Sequence, residues 1–174
     1  WVMNSEISHR AMSNNSIFYE EKPTREQLHQ NFLNLRRTGE RGFVNAEALR
    51  KRRPDAEGVN PCVEIILANK QLCNLTTVNV FAFVENNRLK REALKEAFRL
   101  SARIGVRMAL IELELEEWNK RQVEDRLIGC SMTGWFDMVD ALDMKEEEQR
   151  ELLRELRKSV RDEANKLADE LNIN

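Results

Sequence analysis

The sequence lacks long apolar runs and is poor in glycine, proline and cysteine. Its 174 residues include six Gly, three Pro and three Cys. No apolar run approaches the ~18 residues that a membrane-spanning helix needs. The low Gly and Pro content, with 41% hydrophobic residues, also excludes disordered and fibrous chains. The composition therefore predicts a soluble globular chain, either one domain or a piece of a larger one.

An excess of one charge is also lacking. The 28 Lys and Arg residues nearly balance the 30 Asp and Glu residues, so no basic field predicts nucleic acid or a membrane as a partner. Cys62, Cys73 and Cys130 make a poor disulfide framework, which favours a reducing, cytoplasmic setting. Because the chain opens with Trp-Val-Met and no leader, we expect it to be an internal segment of a longer protein.

Local signals predict a mixed first half, about residues 1–86, and a mainly helical second half, about residues 87–174. Thr24 and Gln27 form a capping box for a helix that ends before Gly39, and Asn45 caps a second, short helix. In the second half, hydrophobic periodicity and turn residues predict helices at 89–118, 135–142 and 145–171, with a strand at 127–132.

Two apolar runs rich in β-branched residues, 63–67 and 75–84, predict strands. Their nearly continuous apolar character is typical of strands buried on both faces of a parallel α/β sheet. The connection between them is short, so the two could also be antiparallel neighbours. The fold class is therefore α/β, rich in helix, with a few short strands.

A possible site lies at the start of the first of these runs. Asn60, Cys62 and Glu64 alternate along the chain. In an extended segment all three side chains would point to one side, and Pro61 favours such a conformation in its neighbour. The pattern is typical of a reactive site, because the thiol lies between an amide that can hold a hydroxyl group and a carboxylate that can move a proton. The alternative from pattern alone is a small buried cysteine at a strand edge.

Other cysteine chemistries fit the sequence less well. Cys62 and Cys73 lack the spacing of a zinc site, and no histidine lies near them. A papain-like site would need His9 or His29 as the base, and neither lies in a supporting motif. We expect both histidines on a helix surface or in a hydrogen bond, and we expect no metal site.

The strings Asn-Pro-Cys-x-Glu-Ile at 60–65 and Cys-Asn-Leu-Thr-Thr-Val-Asn-Val at 73–80 resemble the catalytic core of ribonucleotide reductases. Strings at 6–16, 38–45 and 128–134 match the same family in the same order. The resemblance implies that the chain, 1–174, is one internal fragment of a ten-stranded α/β barrel. In this family the radical cysteine lies on a loop threaded into the centre of the barrel.

The resemblance also implies roles for four residues. Cys62 matches the cysteine that becomes a thiyl radical and removes the 3' hydrogen of the ribose. Glu64 matches the carboxylate that takes the 3'-hydroxyl proton, and Asn60 matches the amide that hydrogen-bonds the substrate. Cys73 matches one of two cysteines that reduce the 2' carbon and end as a disulfide. Cys130 matches no catalytic cysteine and is expected to be a packing residue.

The form of these motifs is most similar to that of the adenosylcobalamin-dependent reductases, because only ten residues separate Cys62 from Cys73. The iron-dependent class is the alternative. Val63 stands where many relatives have glycine, a departure that touches no catalytic group. Asn14, Asn15 and Ser16 match a family motif whose role the resemblance does not give; turn or cap chemistry is the simple interpretation.

The implied partners are a ribonucleotide substrate, a thioredoxin-like reductant and, in the full-length protein, allosteric nucleotides. The second redox cysteine and the phosphate-binding loop are expected before residue 1 and after residue 174, so the fragment alone is expected to be inactive. Neither the cofactor-binding residues nor the choice of di- or triphosphate follows from the sequence. The alternative is a helical interaction module, or a degenerate remnant of a reductase, without chemistry.

Overall fold

The computed structural model describes residues 13–40 and 42–173. The chain divides into two compact units, Trp1–Gln71 and Leu72–Asn174. The division falls before the apolar run that starts at residue 75, so the second unit contains strands as well as helices. Helices and short strands alternate along much of the chain, as expected for an α/β fold.

The first unit contains a parallel pair of strands and an antiparallel hairpin. Strand β1 (Ser16–Tyr19) pairs in parallel with β2 (Gly42–Asn45), and helix α1 (Arg25–Thr38) connects them. Helix α2 (Ala46–Arg52) follows β2 directly. Strands β3 (Gly58–Val59) and β4 (Ile66–Leu67) then form the hairpin.

The helix ends of the first unit confirm the predicted caps. The Thr24 hydroxyl accepts a hydrogen bond from the Gln27 amide at 3.1 Å, and the Gln27 side chain accepts one from the Thr24 amide at 2.8 Å. Gly39 ends α1 in the left-handed conformation, with φ of 72°. The Asn45 side chain accepts from the Ala48 amide at 2.9 Å and starts α2. These bonds satisfy backbone groups that a helix end leaves without partners.

Aromatic side chains pack beside the strand pair of the first unit. Tyr19 and Phe43 stack with ring centroids 6.2 Å apart, and Phe32 meets Phe43 edge-on at 5.5 Å. Arg50 of α2 hydrogen-bonds the Glu20 carboxylate that follows β1, and this bond lowers the pKa of Glu20 below its ordinary value. Because both side chains are exposed, the pair adds little to the stability of the unit.

The second unit is built on a longer parallel pair. Strand β5 (Asn74–Asn79) pairs with β8 (Ile128–Thr133) over six positions, from Asn74 opposite Ile128 to Asn79 opposite Thr133. Helix α3 (Arg91–Met108) packs against this pair. Gly105 allows the approach, because a Cβ atom there would lie only 3.2 Å from the Ile128 side chain.

The predicted strand at 75–84 is correct only in its first part. After β5 the chain forms a 3-10 turn, Val80–Phe83, and then a small hairpin of β6 (Val84–Glu85) and β7 (Arg88–Leu89). Asn86 and Asn87 connect the two strands with φ of 51° and 57°. Two residues with positive φ are typical of a type I′ turn, which asparagine adopts readily.

The predicted long helix at 89–118 is wrong, because the chain makes two helices there. Helix α3 ends at Met108, and α4 (Glu116–Asp125) begins after a seven-residue connection. The Gln122 side chain donates to the Ile111 carbonyl at 2.6 Å, and the Asn119 side chain accepts from the Leu113 amide at 3.0 Å. These side chains of α4 thus provide partners for backbone groups of the connection. A helical periodicity in the sequence cannot indicate such bonds.

The core of the second unit lies among three helices and the 3-10 turn. Helices α5 (Trp135–Leu142) and α6 (Glu146–Leu171) agree closely with the predicted ranges. Six buried side chains form the core: Val80, Leu94, Phe98, Met138, Leu152 and Leu156. Helices α3 and α6 are also joined by ion pairs, Arg91 with Glu155 at 2.8 Å and Arg103 with Glu163 at 2.7 Å.

No helix within the described residues is both long and apolar enough to cross a membrane.

Candidate active site

Cys62 lies at the tip of the β3–β4 hairpin, in a loop that Asn60 closes. The Asn60 amide donates to the Ile65 carbonyl at 3.2 Å, and the Asn60 carbonyl accepts from the Val63 amide at 2.9 Å. The Asn60 side-chain oxygen accepts from the Ile65 amide at 2.9 Å. One residue therefore makes three hydrogen bonds that close the loop in which Cys62 lies.

This geometry corrects the extended interpretation of residues 60–64. The segment is a turn, so alternate side chains do not share a strand face, and the predicted strand at 63–67 is reduced to Ile66 and Leu67. The reason is the Asn60 side chain, which replaces a strand-like partner for the Ile65 amide. Cys62 and Glu64 are nevertheless both exposed near the hairpin tip.

Val63 adopts an unusual backbone conformation in this turn. Its φ is 69°, in the left-handed region that favours glycine, and a β-branched residue is strained there. The site therefore contains local backbone strain next to its thiol. This feature gives a physical meaning to the departure from glycine noted in the sequence.

Replacing Val63 by glycine is expected to stabilise the first unit by about 1 kcal/mol, because strain of ~1–3 kcal/mol is relieved and partly offset by lost burial and added chain entropy. Urea unfolding followed by circular dichroism measures the change. Val59→Gly is the matched control, since Val59 lies in β3 without a positive φ and should lose stability. Equal destabilisation by both substitutions would contradict the assignment of strain to Val63.

The polar groups beside Cys62 remain available for a ligand. Among the described residues, the Glu64 carboxylate has no hydrogen-bond or ion-pair partner, and the Asn60 side-chain nitrogen makes no hydrogen bond. The same asparagine thus uses its oxygen for the turn and keeps two N–H donors for another molecule. A thiol, an unpaired carboxylate and an amide donor are therefore held within one short loop.

Cys73 belongs to the second unit and precedes β5. It is half-buried, and its sulfur lies 3.6 Å from the position that a Cβ atom on Gly129 would occupy. The glycine in β8 is required by the Leu75 side chain, which lies too close to that position to admit a Cβ atom, whereas the Cys73 sulfur lies at an ordinary contact distance. Convergence of Cys73 with the residues of the Cys62 turn stays a prediction.

Three further candidates from the sequence are Cys130, His29 and His9. Cys130 is half-buried and packs against the hydrophobic core, as predicted for a packing residue. His29 is exposed on α1, as expected, whereas His9 lies outside the described residues. Residues 13–40 and 42–173 contain no group of three or more His, Cys, Asp or Glu residues placed to hold a metal ion.

The structure adds Asn14 to the site. Its side-chain nitrogen donates to the Pro61 carbonyl at 3.1 Å and lies 4.0 Å from the Cys62 sulfur. In the sequence, the only signal for this residue was its place in a family motif without an assigned role. A contact across 48 positions is not visible in local patterns.

Comparison with known proteins identifies the family of the chain. The model of the ribonucleotide reductase barrel domain matches residues 9–172, nearly the whole chain. The chain belongs to the ribonucleotide reductase barrel-domain family. The family match therefore includes the loop that carries Cys62 and the segment that carries Cys73.

Three curated relatives are named adenosylcobalamin-dependent ribonucleoside-triphosphate reductase. The relative from Lacticaseibacillus paracasei is 36% identical over 118 residues, which cover 60% of this chain and 15% of the relative. The relatives from Lactobacillus gasseri and Lactobacillus helveticus are 35% and 33% identical over 147 residues, 75% of this chain and 18% of each relative. The chain thus spans less than a fifth of the length of these reductases.

Proposed function

We propose that this chain forms part of the catalytic core of an adenosylcobalamin-dependent ribonucleotide reductase, which converts ribonucleotides into deoxyribonucleotides. The observation that carries the proposal is the exposed Cys62 thiol on an anchored turn, with Asn60 and Glu64 beside it, in a chain of this family. The proposal includes a ten-stranded barrel to which the parallel strand pairs contribute.

In the proposed reaction Cys62 carries the radical. As a thiyl, its sulfur takes the 3' hydrogen atom of the ribose, and Glu64 accepts the proton of the 3'-hydroxyl group. The unpaired Glu64 carboxylate suits this role, because a base must be within hydrogen-bond reach of the proton it removes and not occupied elsewhere. The Asn60 amide nitrogen donates a hydrogen bond to the substrate while its oxygen holds the turn.

Cys73 supplies one of the two thiols that reduce the 2' carbon in this proposal. A second cysteine of the full-length protein completes the pair, and a thioredoxin-like dithiol reduces the resulting disulfide. Allosteric nucleotides would bind to the full-length protein.

The described residues fit adenosylcobalamin at one point, the Cys62 thiol. An exposed thiol at the tip of a turn can be reached by a radical that is generated outside the loop. When bound, the cofactor would supply a carbon-centred radical that takes the hydrogen atom of this thiol. No described residue is assigned to holding the corrin ring.

The proposal is tested with the full-length protein, a ribonucleoside triphosphate and a dithiol reductant. We expect deoxyribonucleotide to form only when adenosylcobalamin is added, and the 174-residue chain alone to be inactive. Chromatography of the nucleotides measures the product, with the corresponding diphosphate as a parallel substrate.

Two other outcomes would contradict the proposal in different ways. Turnover that requires iron and not cobalamin would assign the protein to the iron-dependent class. A folded full-length protein without turnover under either condition would favour the non-catalytic remnant.

A further inference from the structure

The segment that carries Asn14 is fixed to the β1–β2 pair. The Asn15 amide donates to the Glu40 carboxylate at 3.1 Å, and the Gly42 amide donates to the Asn15 carbonyl at 2.7 Å. These bonds continue the parallel pairing of Ser16 with Gly42 by one step. Asn14 therefore extends from an anchored backbone, although its own side chain is exposed.

The Asn14 amide contacts two consecutive residues of the Cys62 turn. Its nitrogen donates to the Pro61 carbonyl at 3.1 Å and lies 4.0 Å from the Cys62 sulfur, within reach of an N–H···S contact. The Pro61 carbonyl and the Cys62 amide belong to the same peptide unit. Holding this unit limits rotation of the backbone that directs the thiol.

The turn needs such a contact from outside. The hydrogen bonds that close the loop use Asn60 and leave the Pro61 carbonyl to Asn14. Val63, which follows Cys62, is held at a strained positive φ. Strained conformations persist only when the surroundings fix them, and a hydrogen bond to the preceding peptide unit provides part of that support.

We propose that Asn14 is a positioning residue for Cys62: its side-chain amide holds the Pro61–Cys62 peptide and orients the sulfur toward the substrate. The inference rests on the proposed function of Cys62 as the radical carrier. Hydrogen-atom transfer depends on the position of the sulfur, and a displacement of about 1 Å can cost ~100-fold in rate.

The test uses Asn14→Ala and Asn14→Asp in the full-length protein. Aspartate keeps the shape of asparagine but removes both N–H donors and places a negative charge beside the Pro61 carbonyl and the sulfur. Asn15→Ala and Asn15→Asp are the matched controls, because the Asn15 side chain donates to the Ser13 carbonyl in the same segment. Deoxynucleotide formation gives kcat and KM for each variant.

A second measurement follows the thiol without turnover. The rate at which iodoacetamide alkylates Cys62 is measured by mass spectrometry of the peptide that contains it. A charge beside the sulfur disfavours the thiolate, which is the reacting form, so Asn14→Asp should slow alkylation several-fold. Asn15→Asp, with the same charge one residue away, should slow it much less.

We expect both Asn14 substitutions to lower kcat by about 10- to 100-fold with KM changed less than about threefold. If KM rises and kcat is unchanged, Asn14 contacts the substrate and the positioning role is overturned. If the Asn14 and Asn15 variants behave alike in both measurements, the contact is incidental. Failure of the proposed function is recognised separately, because the unmodified protein would then make no deoxynucleotide while the alkylation measurement still reports the Asn14 contact.

Discussion

Replacement of Cys62 by serine is expected to reduce deoxynucleotide formation by the full-length protein below detection. The substitution keeps the size and polarity of the side chain at the exposed tip of the hairpin, so the Asn60 hydrogen bonds that close the turn should survive. The serine O–H bond is much stronger than the cysteine S–H bond. The side chain can then no longer give up a hydrogen atom and pass a radical to the ribose.

Cys130→Ser is the matched control for this experiment. Cys130 packs against the core of the second unit, and its sulfur lies 3.7 Å from the Thr76 hydroxyl. Serine at this position removes no proposed catalytic group, so turnover of the folded variant should be retained. Undiminished turnover of Cys62→Ser, or equal loss in the two variants, would refute the assignment of the radical to Cys62.

Replacement of Phe98 by alanine is expected to lower the free energy of unfolding of the second unit by about 3–5 kcal/mol, the usual cost of removing a buried phenylalanine. Phe98 is 1% exposed and lies in the core with Leu94, Met138, Leu152 and Leu156. The loss has two parts: the transfer free energy that burial of the ring had contributed, and the cost of the cavity left between α3 and α6. Urea unfolding of the chain, followed by circular dichroism of its helices, measures it.

Phe136→Ala provides the comparison, because this phenylalanine is 76% exposed in the same unit. Its removal should change stability by no more than about 0.5 kcal/mol. A similar loss for both substitutions would show that the core is not centred on Phe98.

The elements that local signals define were predicted well from the sequence. The caps at Thr24 and Asn45 act on amides only three residues away, and both are present. The strand at β8 and the helices α5 and α6 also agree with the sequence, because their periodicity and bounding turn residues lie within the elements. In such segments each residue contributes to a structure that its neighbours already favour.

The errors in the predicted elements come from hydrogen bonds that link residues of different elements, or that link a side chain to the backbone. The break after α3 depends on Asn119 and Gln122, which belong to the next helix. The turn at residues 60–65 depends on the Asn60 side chain, which an alternating pattern treats only as a polar position. Periodicity describes which face is apolar, and it contains no information about such hydrogen bonds.

The candidate site was predicted by chemistry and resemblance more than by geometry. Asn60, Cys62 and Glu64 were selected as one local group of an amide, a thiol and a carboxylate on a strand, whereas the structure places them in a turn. Their catalytic roles stay predictions. The contact from Asn14 could not be predicted, because the folding of β1 beside β2 brings it to the turn.

The pairing of β5 with β8 leaves one side of each strand without a neighbouring strand among the described residues. The backbone N–H and C=O groups along these two margins can join further strands in either direction. Leu75 on β5 is also 43% exposed, which is unusual for a parallel sheet, where both faces are normally covered. The margins at which further strands of the proposed barrel would join are therefore also margins at which separate copies of the chain would pair with one another.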